Sequence, residues 1–157
     1  MSKAAQLKHD YLMTLTLEVD SASAYPIGMT LSGNRMVAPI VGGTFAGPRL
    51  EGSVLPGGAD WVLVGSDGSM KIDVRTTLKT TDGAFIYLQY QGRFIASAEA
   101  MQQLHAGNVL APEEYSLAVS AELETGHEGY AWLNDAMVVG TGQQSGFNPT
   151  YSFFTVG

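Results

Sequence analysis

Hydrophobic and polar positions alternate with a period of two residues along most of this chain. In YLMTLTLEV (residues 11–19) and in MKIDVRTTLKT (residues 70–80), alternate side chains are largely apolar, and most of those between them are polar. Successive side chains of a strand point to opposite faces of a sheet, so this alternation predicts half-buried strands. The turns SDGS (66–69) and TTDGA (80–84) separate such segments, and an Asp-Gly pair between two strands is a hairpin signal.

One segment breaks the alternation. SAEAMQQLHAGN (97–108) has Ser97 as a helix N-cap, good helix formers and Gly107 as a stop, and it predicts one short helix near residues 97–106 that packs against the sheet or closes one end. Further strands are predicted at residues 35–44, 49–55, 115–123, 130–139 and 151–156. About eight to ten strands with many turn glycines favour an all-β fold, either an antiparallel β-barrel or a strongly curved sandwich, as a single domain over residues 1–157.

Composition narrows the classes of function. The chain has 157 residues, of which 45% are hydrophobic and 15% charged, which is typical of a folded domain with a real core. The net charge of −7 repels phosphate backbones and anionic lipid surfaces, so neither nucleic acid nor a membrane is an expected partner. The chain has no cysteine, and residues 1–20 lack the apolar segment of a signal peptide. We therefore expect a soluble, cytoplasmic protein.

Motifs for nucleotides and metals fail on their spacing. In VVGTGQQSGF (138–147) the glycines do not match a dinucleotide fingerprint, and too little chain follows for a crossover helix and a second strand, so this segment predicts a hairpin turn. The histidines, His9, His105 and His127, are dispersed, and no pair has metal-ligand spacing. Neither a cofactor nor a metal is therefore expected.

Polar side chains on apolar strands are the candidates for chemistry. A barrel of about eight strands can hold one small ligand, which polar groups facing its interior would contact. Burial can raise the pKa of an aspartate until it acts as an acid or base near neutral pH, and a guanidinium or phenol can stabilise an enolate or phenolate oxygen. The predicted catalytic residues are Asp60, Asp73, Arg75 and Tyr87. The predicted ligand-binding residues on these strands are Trp61, Tyr130, Trp132 and Asn134.

Each candidate also has a purely structural interpretation. Asp73 and Arg75 lie two apart on one strand, as do exposed charges on the solvated face of an antiparallel sheet. Tyr130 and Trp132 fit core aromatics better than platforms for a ligand. Asp60, which follows Gly-Gly-Ala, also fits a turn residue that bonds its own backbone. The sequence leaves these alternatives open.

The chain resembles the UPF0311 proteins, also called the DUF3237 family, in four segments that occur in this order: PIVGGTFAGPRLEGSVLPGGADW, TDGAFIYLQYQG, APEEYSL and ELETGHEGYAWLNDAMVVGTG. The resemblance runs from about Tyr11 to the C-terminus. It implies an antiparallel β-barrel that often assembles into homo-oligomers, and it implies little about activity, because the family is largely uncharacterised.

Three positions depart from the family pattern. The resemblance implies a glutamate where this chain has Ala46, and an Arg-Thr pair where it has Ala118 and Val119. Both members of a possible acid–base or ion pair are then apolar, which avoids leaving one buried charge without its partner. We therefore expect Ala46 and Ala118 to contact the ligand in a more apolar pocket.

Two functions fit these observations. The first is a cofactor-independent lyase, isomerase or cyclase that transfers a proton on a hydrophobic aromatic or polyketide-like compound in the barrel interior. The alternative is a non-catalytic carrier or sensor of the same class of ligand. A purely structural module is a third possibility, which an interior without any cavity would favour.

Overall fold

A computed structural model describes residues 3–144 and 148–157. Within them the chain forms one α-helix, α1 (Ala98–His105), and three 3-10 helices at Ser21–Ser23, Pro112–Glu114 and Glu128–Asp135. The strands are β1 (His9–Val19), β2 (Tyr25–Thr30), β3 (Gly33–Ala46), β4 (Glu51–Val54), β5 (Gly58–Val64), β6 (Met70–Thr80), β7 (Phe85–Ala96), β8 (Tyr115–Glu124), β9 (Met137–Gln143) and β10 (Thr150–Val156). Among the described residues, no helix combines the length and the apolar character that a membrane crossing requires.

The strands close into a barrel in which every pairing is antiparallel. The pairing runs β1-β10-β9-β8-β7-β6, after which β6 pairs with both β4 and β5, and these two strands pair with β3. The second half of β3 pairs with β1, which completes the cylinder. The ten strands occupy eight positions around the cylinder. β4 and β5 lie end to end between β3 and β6, and β2 and β1 lie end to end along β3. The predicted antiparallel barrel is confirmed.

Apolar side chains that point into the cylinder form the core. Leu15, Leu78, Leu88 and Phe153 are fully buried, and they come from four different strands. Each occupies the apolar phase of its strand's alternation, so the pattern that predicted the strands also identifies the inner wall.

The predicted helix is confirmed as α1. The Ser97 side chain accepts a hydrogen bond from the Ala100 amide, and Gly107 takes a positive φ of 88° just beyond the helix. Ala100 and Met101 are buried and belong to the same core cluster as Phe94. The helix therefore packs at the end of the barrel where β7 ends and β8 begins.

The predicted strand over residues 130–139 is wrong. Residues 128–135 form a 3-10 helix, and the strand begins only at Met137. The His127 ring nitrogen accepts the Gly129 amide at 3.0 Å, and this local cap starts the helix. Leu133 is fully buried, so the segment closes the end of the barrel opposite α1. The spacing of apolar residues in this segment reflects one face of the 3-10 helix, which packs on that end of the barrel.

Two glycines of β9 make room for aromatic rings. A Cβ atom at Gly140 would lie 2.8 Å from the Phe153 ring, and one at Gly142 would lie 2.8 Å from the Tyr151 ring. Both glycines face the interior, which accounts structurally for their place in the VVGTGQQSGF segment. Gly146 and the rest of the predicted hairpin turn at residues 145–147 lie outside the described residues.

Candidate active site

Asp60 lies on the inner wall of the barrel. On β5 it is paired with Ala38 of β3 and with Val74 of β6, and both partners are buried. Directly paired residues of an antiparallel sheet share a face, so the Asp60 carboxyl group points inward with Ala38 and Val74. The side chain is partly exposed, so solvent or a ligand reaches it.

The surroundings of Asp60 favour a carboxyl group that titrates near neutral pH. The pKa of Asp60 is raised to about 6, mainly by desolvation on burial and to a smaller extent by the charge of the nearby Asp73 carboxylate. The Asp73 amide opposes this effect, because it donates a hydrogen bond of 3.0 Å to Asp60 Oδ1. A carboxyl group of this kind can both release and accept a proton under physiological conditions.

Two buried phenols lie beside Asp60. Tyr90 on β7 is paired with Val74, the same residue that is paired with Asp60, and it is only 1% exposed. The ring of Tyr151 on β10 is centred 4.9 Å from the Tyr90 ring. Burial raises the pKa of both hydroxyl groups, and the Asp60 charge adds to the increase in each. The interior near Asp60 therefore presents one carboxyl group and two neutral phenols.

Two buried hydroxyl groups next to Asp60 lack a partner. Neither Thr76 Oγ1 nor the Tyr90 hydroxyl has an acceptable hydrogen bond to any described residue, although the Tyr151 hydroxyl lies near Tyr90. Thr76 is the next inward-facing residue after Val74 on β6, so it lies diagonally from both Asp60 and Tyr90. Such unpaired groups are rare in protein interiors, which marks these hydroxyls as candidates for contact with a ligand.

The other predicted catalytic residues face outward. Asp73 and Arg75 occupy the opposite phase of β6 from Val74, and Arg75 is exposed. Tyr87 is 38% exposed, and its hydroxyl donates to Gln89 Oε1 on the outer surface. The expectation that all four side chains line the interior together is therefore met by Asp60 alone. Asp73, Arg75 and Tyr87 lie in the polar phase of their strands, which is the phase that faces solvent.

The predicted aromatic platforms also lie away from Asp60's inward face. The Arg75 guanidinium lies 5.4 Å from the centre of the Trp61 ring on the outer surface, and Arg49 lies 3.6 Å from the centre of Trp132. Tyr130 donates a hydrogen bond of 2.9 Å to Asp82, and Asn134 accepts one from the Thr125 amide. Tyr130, Trp132 and Asn134 thus fasten the 3-10 helix to neighbouring turns, and the two aromatics pack against the core.

Ala46 and Ala118 do not form a shared pocket wall. Both are exposed on the outer face, and the register connects them through Thr141, Ser152 and Thr14. Four strand spacings separate them, which is about 19 Å across the sheet. Neither alanine therefore lines the interior, whereas Val119, beside Ala118, is buried in the core. Ala46 lines an open groove on the outer surface with Glu51, Ser53 and Lys79.

Sequence reasoning missed Thr76, Tyr90 and Tyr151. All three occupy the apolar phase of their strands, where Tyr90 alternates in step with Ile86 and Leu88. A polar atom in an apolar phase is the signal that could have identified them. In the described part of the chain, no group of three His, Asp or Glu side chains is arranged to hold a metal ion.

The barrel fold recurs in a known family. The family model described as "protein of unknown function (DUF3237)" matches residues 6–156. The chain belongs to the DUF3237 family. A UPF0311 protein of Rhodopseudomonas palustris strain TIE-1 is 31% identical over 136 residues, which cover 86% of this chain and 87% of the relative.

Solved structures of relatives share the whole fold. A crystal structure of a β-barrel-like protein from Acinetobacter baumannii AYE is 35% identical, covers 100% of both chains and superposes with a TM-score of 0.85. The structure of a conserved protein of unknown function from R. palustris gives a TM-score of 0.91 at 25% identity, and covers 98% of this chain and 99% of its own.

One more distant relative has a named activity. A hydroalkoxylation enzyme, phnH, of Penicillium herquei is 29% identical over 103 residues, which cover 65% of this chain and 53% of that enzyme. A distant relative of this chain is therefore an enzyme.

Proposed function

We propose that this protein is a cofactor-independent lyase, isomerase or cyclase that uses Asp60 to transfer a proton on a hydrophobic aromatic or polyketide-like molecule inside the barrel. The observation that carries the proposal is the partly exposed Asp60 carboxyl group on the inner wall, whose pKa is raised to about 6 by burial. A general acid or base works best when its pKa lies near the working pH, and Asp60 meets that requirement.

The two tyrosines have a supporting role in this chemistry. Their hydroxyl groups stay protonated near neutral pH, because burial raises the pKa of each. A protonated phenol donates a hydrogen bond, and such donors stabilise an oxygen on which negative charge develops. Asp60 would then move the proton while Tyr90 or Tyr151 holds the reacting oxygen.

The relative from P. herquei supports addition of a hydroxyl group to a carbon–carbon double bond as one form of this chemistry. In such an addition the O–H bond and the π bond break, while a C–O and a C–H bond form. The Asp60 carboxylate would accept the hydroxyl proton, and the resulting carboxylic acid would return a proton to carbon. The sum is redox-neutral, so an acid–base group is enough to carry it.

The test uses a simple hydroxy-alkene, 2-prenylphenol, incubated with the protein in D2O. Addition would give a cyclic ether with one carbon-bound deuterium, detected by chromatography and mass spectrometry. We expect Asp60→Asn to lower the rate by about 10²–10⁴-fold, the usual effect of removing a general acid–base group. Asp67→Asn, in the exposed turn between β5 and β6, is the matched control. Equal rates in the wild type and Asp60→Asn would refute the assignment.

A non-catalytic binding protein is the second candidate. It is favoured because the other three predicted catalytic residues, Asp73, Arg75 and Tyr87, lie on the outer face. In that case a ligand would raise the Tm of the protein by mass action and be recovered unchanged after long incubation. Chemical conversion of the bound ligand would exclude this second function.

A further inference from the structure

We propose that the Asp60 site takes an uncharged molecule with a hydroxyl group on an otherwise apolar body, such as a phenol, and holds that hydroxyl between Asp60, Thr76 and Tyr90. The inference concerns the ligand class of the site and rests on the proposed function for the location of the ligand. It is carried by the two unpartnered hydroxyl groups and by the charges of the interior.

The unpaired hydroxyls mark where a ligand oxygen would lie. Thr76 and Thr80 are both 3% exposed on the inner phase of β6. The Thr80 hydroxyl accepts the Ala84 amide at 2.8 Å, whereas Thr76 Oγ1 has no partner among the described residues. Local turns therefore satisfy one buried threonine and leave the other free to bond a guest. The Tyr90 hydroxyl also makes no hydrogen bond of good geometry, and its polar neighbour is the Tyr151 hydroxyl.

The sheet register brings these groups around one point. Asp60 and Tyr90 are paired with the same residue, Val74, from opposite sides of β6. Two strand spacings of about 4.8 Å separate their backbones, and their inward side chains narrow that gap. Thr76 follows Val74 on the same face, so it lies diagonally from both. One oxygen atom held above Val74 would be in reach of all three side chains.

Glycine at position 58 leaves Thr76 uncovered. A Cβ atom at Gly58 would lie 2.7 Å from Thr76 Oγ1 and 2.5 Å from the Arg75 carbonyl oxygen. Any larger residue there would therefore crowd both the backbone of β6 and the Thr76 hydroxyl. Glycine keeps the neighbouring strand close without covering that hydroxyl.

The charges of the interior select a neutral ligand. No lysine, arginine or histidine is buried in the described part of the chain, so nothing there would neutralise an anion beside Asp60. An ammonium group would pair with Asp60, but it has no lone pair to accept a hydrogen bond from Tyr90 or Thr76. A hydroxyl group does both, since it donates to the carboxylate and accepts from a phenol or an alcohol.

The wall beyond Asp60 is apolar, which fits the rest of such a molecule. Ala38 and Val62 are buried on the inner face of β3 and β5, yet they lie outside the main core cluster. Met36 is paired with Val62 and is 38% exposed, so the rim of the barrel lies one residue pair from Val62. An apolar ring would lie between this rim and the Asp60 carboxyl group.

The test measures binding of four small probes of similar shape by calorimetry, namely p-cresol, toluene, benzylamine and benzoate. We expect p-cresol to bind at least about tenfold more tightly than toluene, as one or two net hydrogen bonds would provide. Benzylamine and benzoate should bind more weakly than p-cresol. Equal affinity for toluene and p-cresol, tightest binding of a charged probe, or no binding of any probe would overturn the inference.

Variants of nearly unchanged shape locate the bound hydroxyl. Thr76→Val and Tyr90→Phe should each weaken p-cresol binding by about 3–10-fold and leave toluene binding unchanged. Thr77→Val is the matched control, because Thr77 is the neighbouring residue on the outer phase of β6. A loss in Thr77→Val equal to that in Thr76→Val would refute the placement. Circular dichroism confirms that each variant is folded before it is compared.

Binding and turnover separate the two proposals. If p-cresol binds as expected while 2-prenylphenol is not converted, the proposed catalysis fails and the ligand class stands. If 2-prenylphenol is converted in an Asp60-dependent manner while p-cresol shows no preference over toluene, the ligand class fails and the catalysis stands.

Discussion

Replacing Asp60 by asparagine should change the pH dependence of folding stability in a defined direction. Burial raises the pKa of Asp60 from 3.8 to about 6, so the folded state holds this proton more tightly than the unfolded state does. Stability therefore falls as pH rises between these two values, because the ionised form must be kept desolvated. At about 1.36 kcal/mol for each pKa unit, the full cost above pH 6 is about 3 kcal/mol.

About 2 kcal/mol of this cost develops between about pH 4.5 and about pH 7.5. Asparagine has nearly the same shape, keeps an oxygen for the Asp73 amide and cannot ionise. The Tm of Asp60→Asn minus that of the wild type should thus increase by about 4–8 °C over this interval, given the usual conversion for a chain of this size. The measurement is thermal unfolding followed by circular dichroism at both pH values.

Asp67→Asn provides the control for this experiment. Hydrogen bonds from the Ser69 side chain and amide lower the pKa of Asp67, which lies in an exposed turn. A lowered pKa stabilises the fold above the unfolded value of 3.8 and loses that effect only as pH falls below it, so the Tm difference of Asp67→Asn should stay nearly constant between about pH 4.5 and about pH 7.5. A Tm difference for Asp60→Asn that is equally constant with pH, or that decreases as pH rises, would refute the assignment of Asp60 as a buried acid.

Three further predictions follow from the same interior. The rate of 2-prenylphenol conversion should rise with pH through about 6 if Asp60 acts first as a base, and a flat profile of kcat/KM would contradict that role. Thr76→Val should leave the free energy of unfolding unchanged or raise it by about 1–3 kcal/mol, measured in urea, because it removes an unpaired buried hydroxyl. Gly142→Ala should lower the free energy of unfolding by about 1–3 kcal/mol, since its Cβ would lie 2.5 Å from Leu117. Gly126→Ala, where a Cβ meets no atom within 4 Å, should be neutral.

Local patterns were sufficient to predict the fold class and most of the strands. Alternation, Asp-Gly turns and a capped helix are properties of short segments, and the barrel contains all of them where the sequence predicted. The 3-10 helix at Glu128–Asp135 was missed because its apolar spacing resembles a strand and its cap, His127, is not a common capping residue. β2 was missed because YPIGMT has proline and glycine at positions that weaken a strand signal.

The site required information that a single strand does not contain. Asp73 and Arg75 are two apart on one strand and share a face, as predicted, but that face is the outer one. The alternation of β6 separates its inner from its outer face, but which inward side chains meet depends on the residues that lie opposite on β5 and β7. That register is a tertiary property, set where Val74 is paired with both Asp60 and Tyr90.

A general criterion separates the residues that reached the interior from those that did not. Asp73, Arg75 and Tyr87 attracted interest because they are polar residues in the polar phase of their strands, which is the phase that faces solvent. Thr76, Tyr90 and Tyr151 are polar residues in the apolar phase, between neighbours such as Val74, Leu88 and Phe153. Asp60 also shares its phase with Val62 and Val64. In an antiparallel barrel, a polar atom that interrupts the apolar phase must be satisfied by the protein or by a ligand, and it is therefore the stronger indicator of a site.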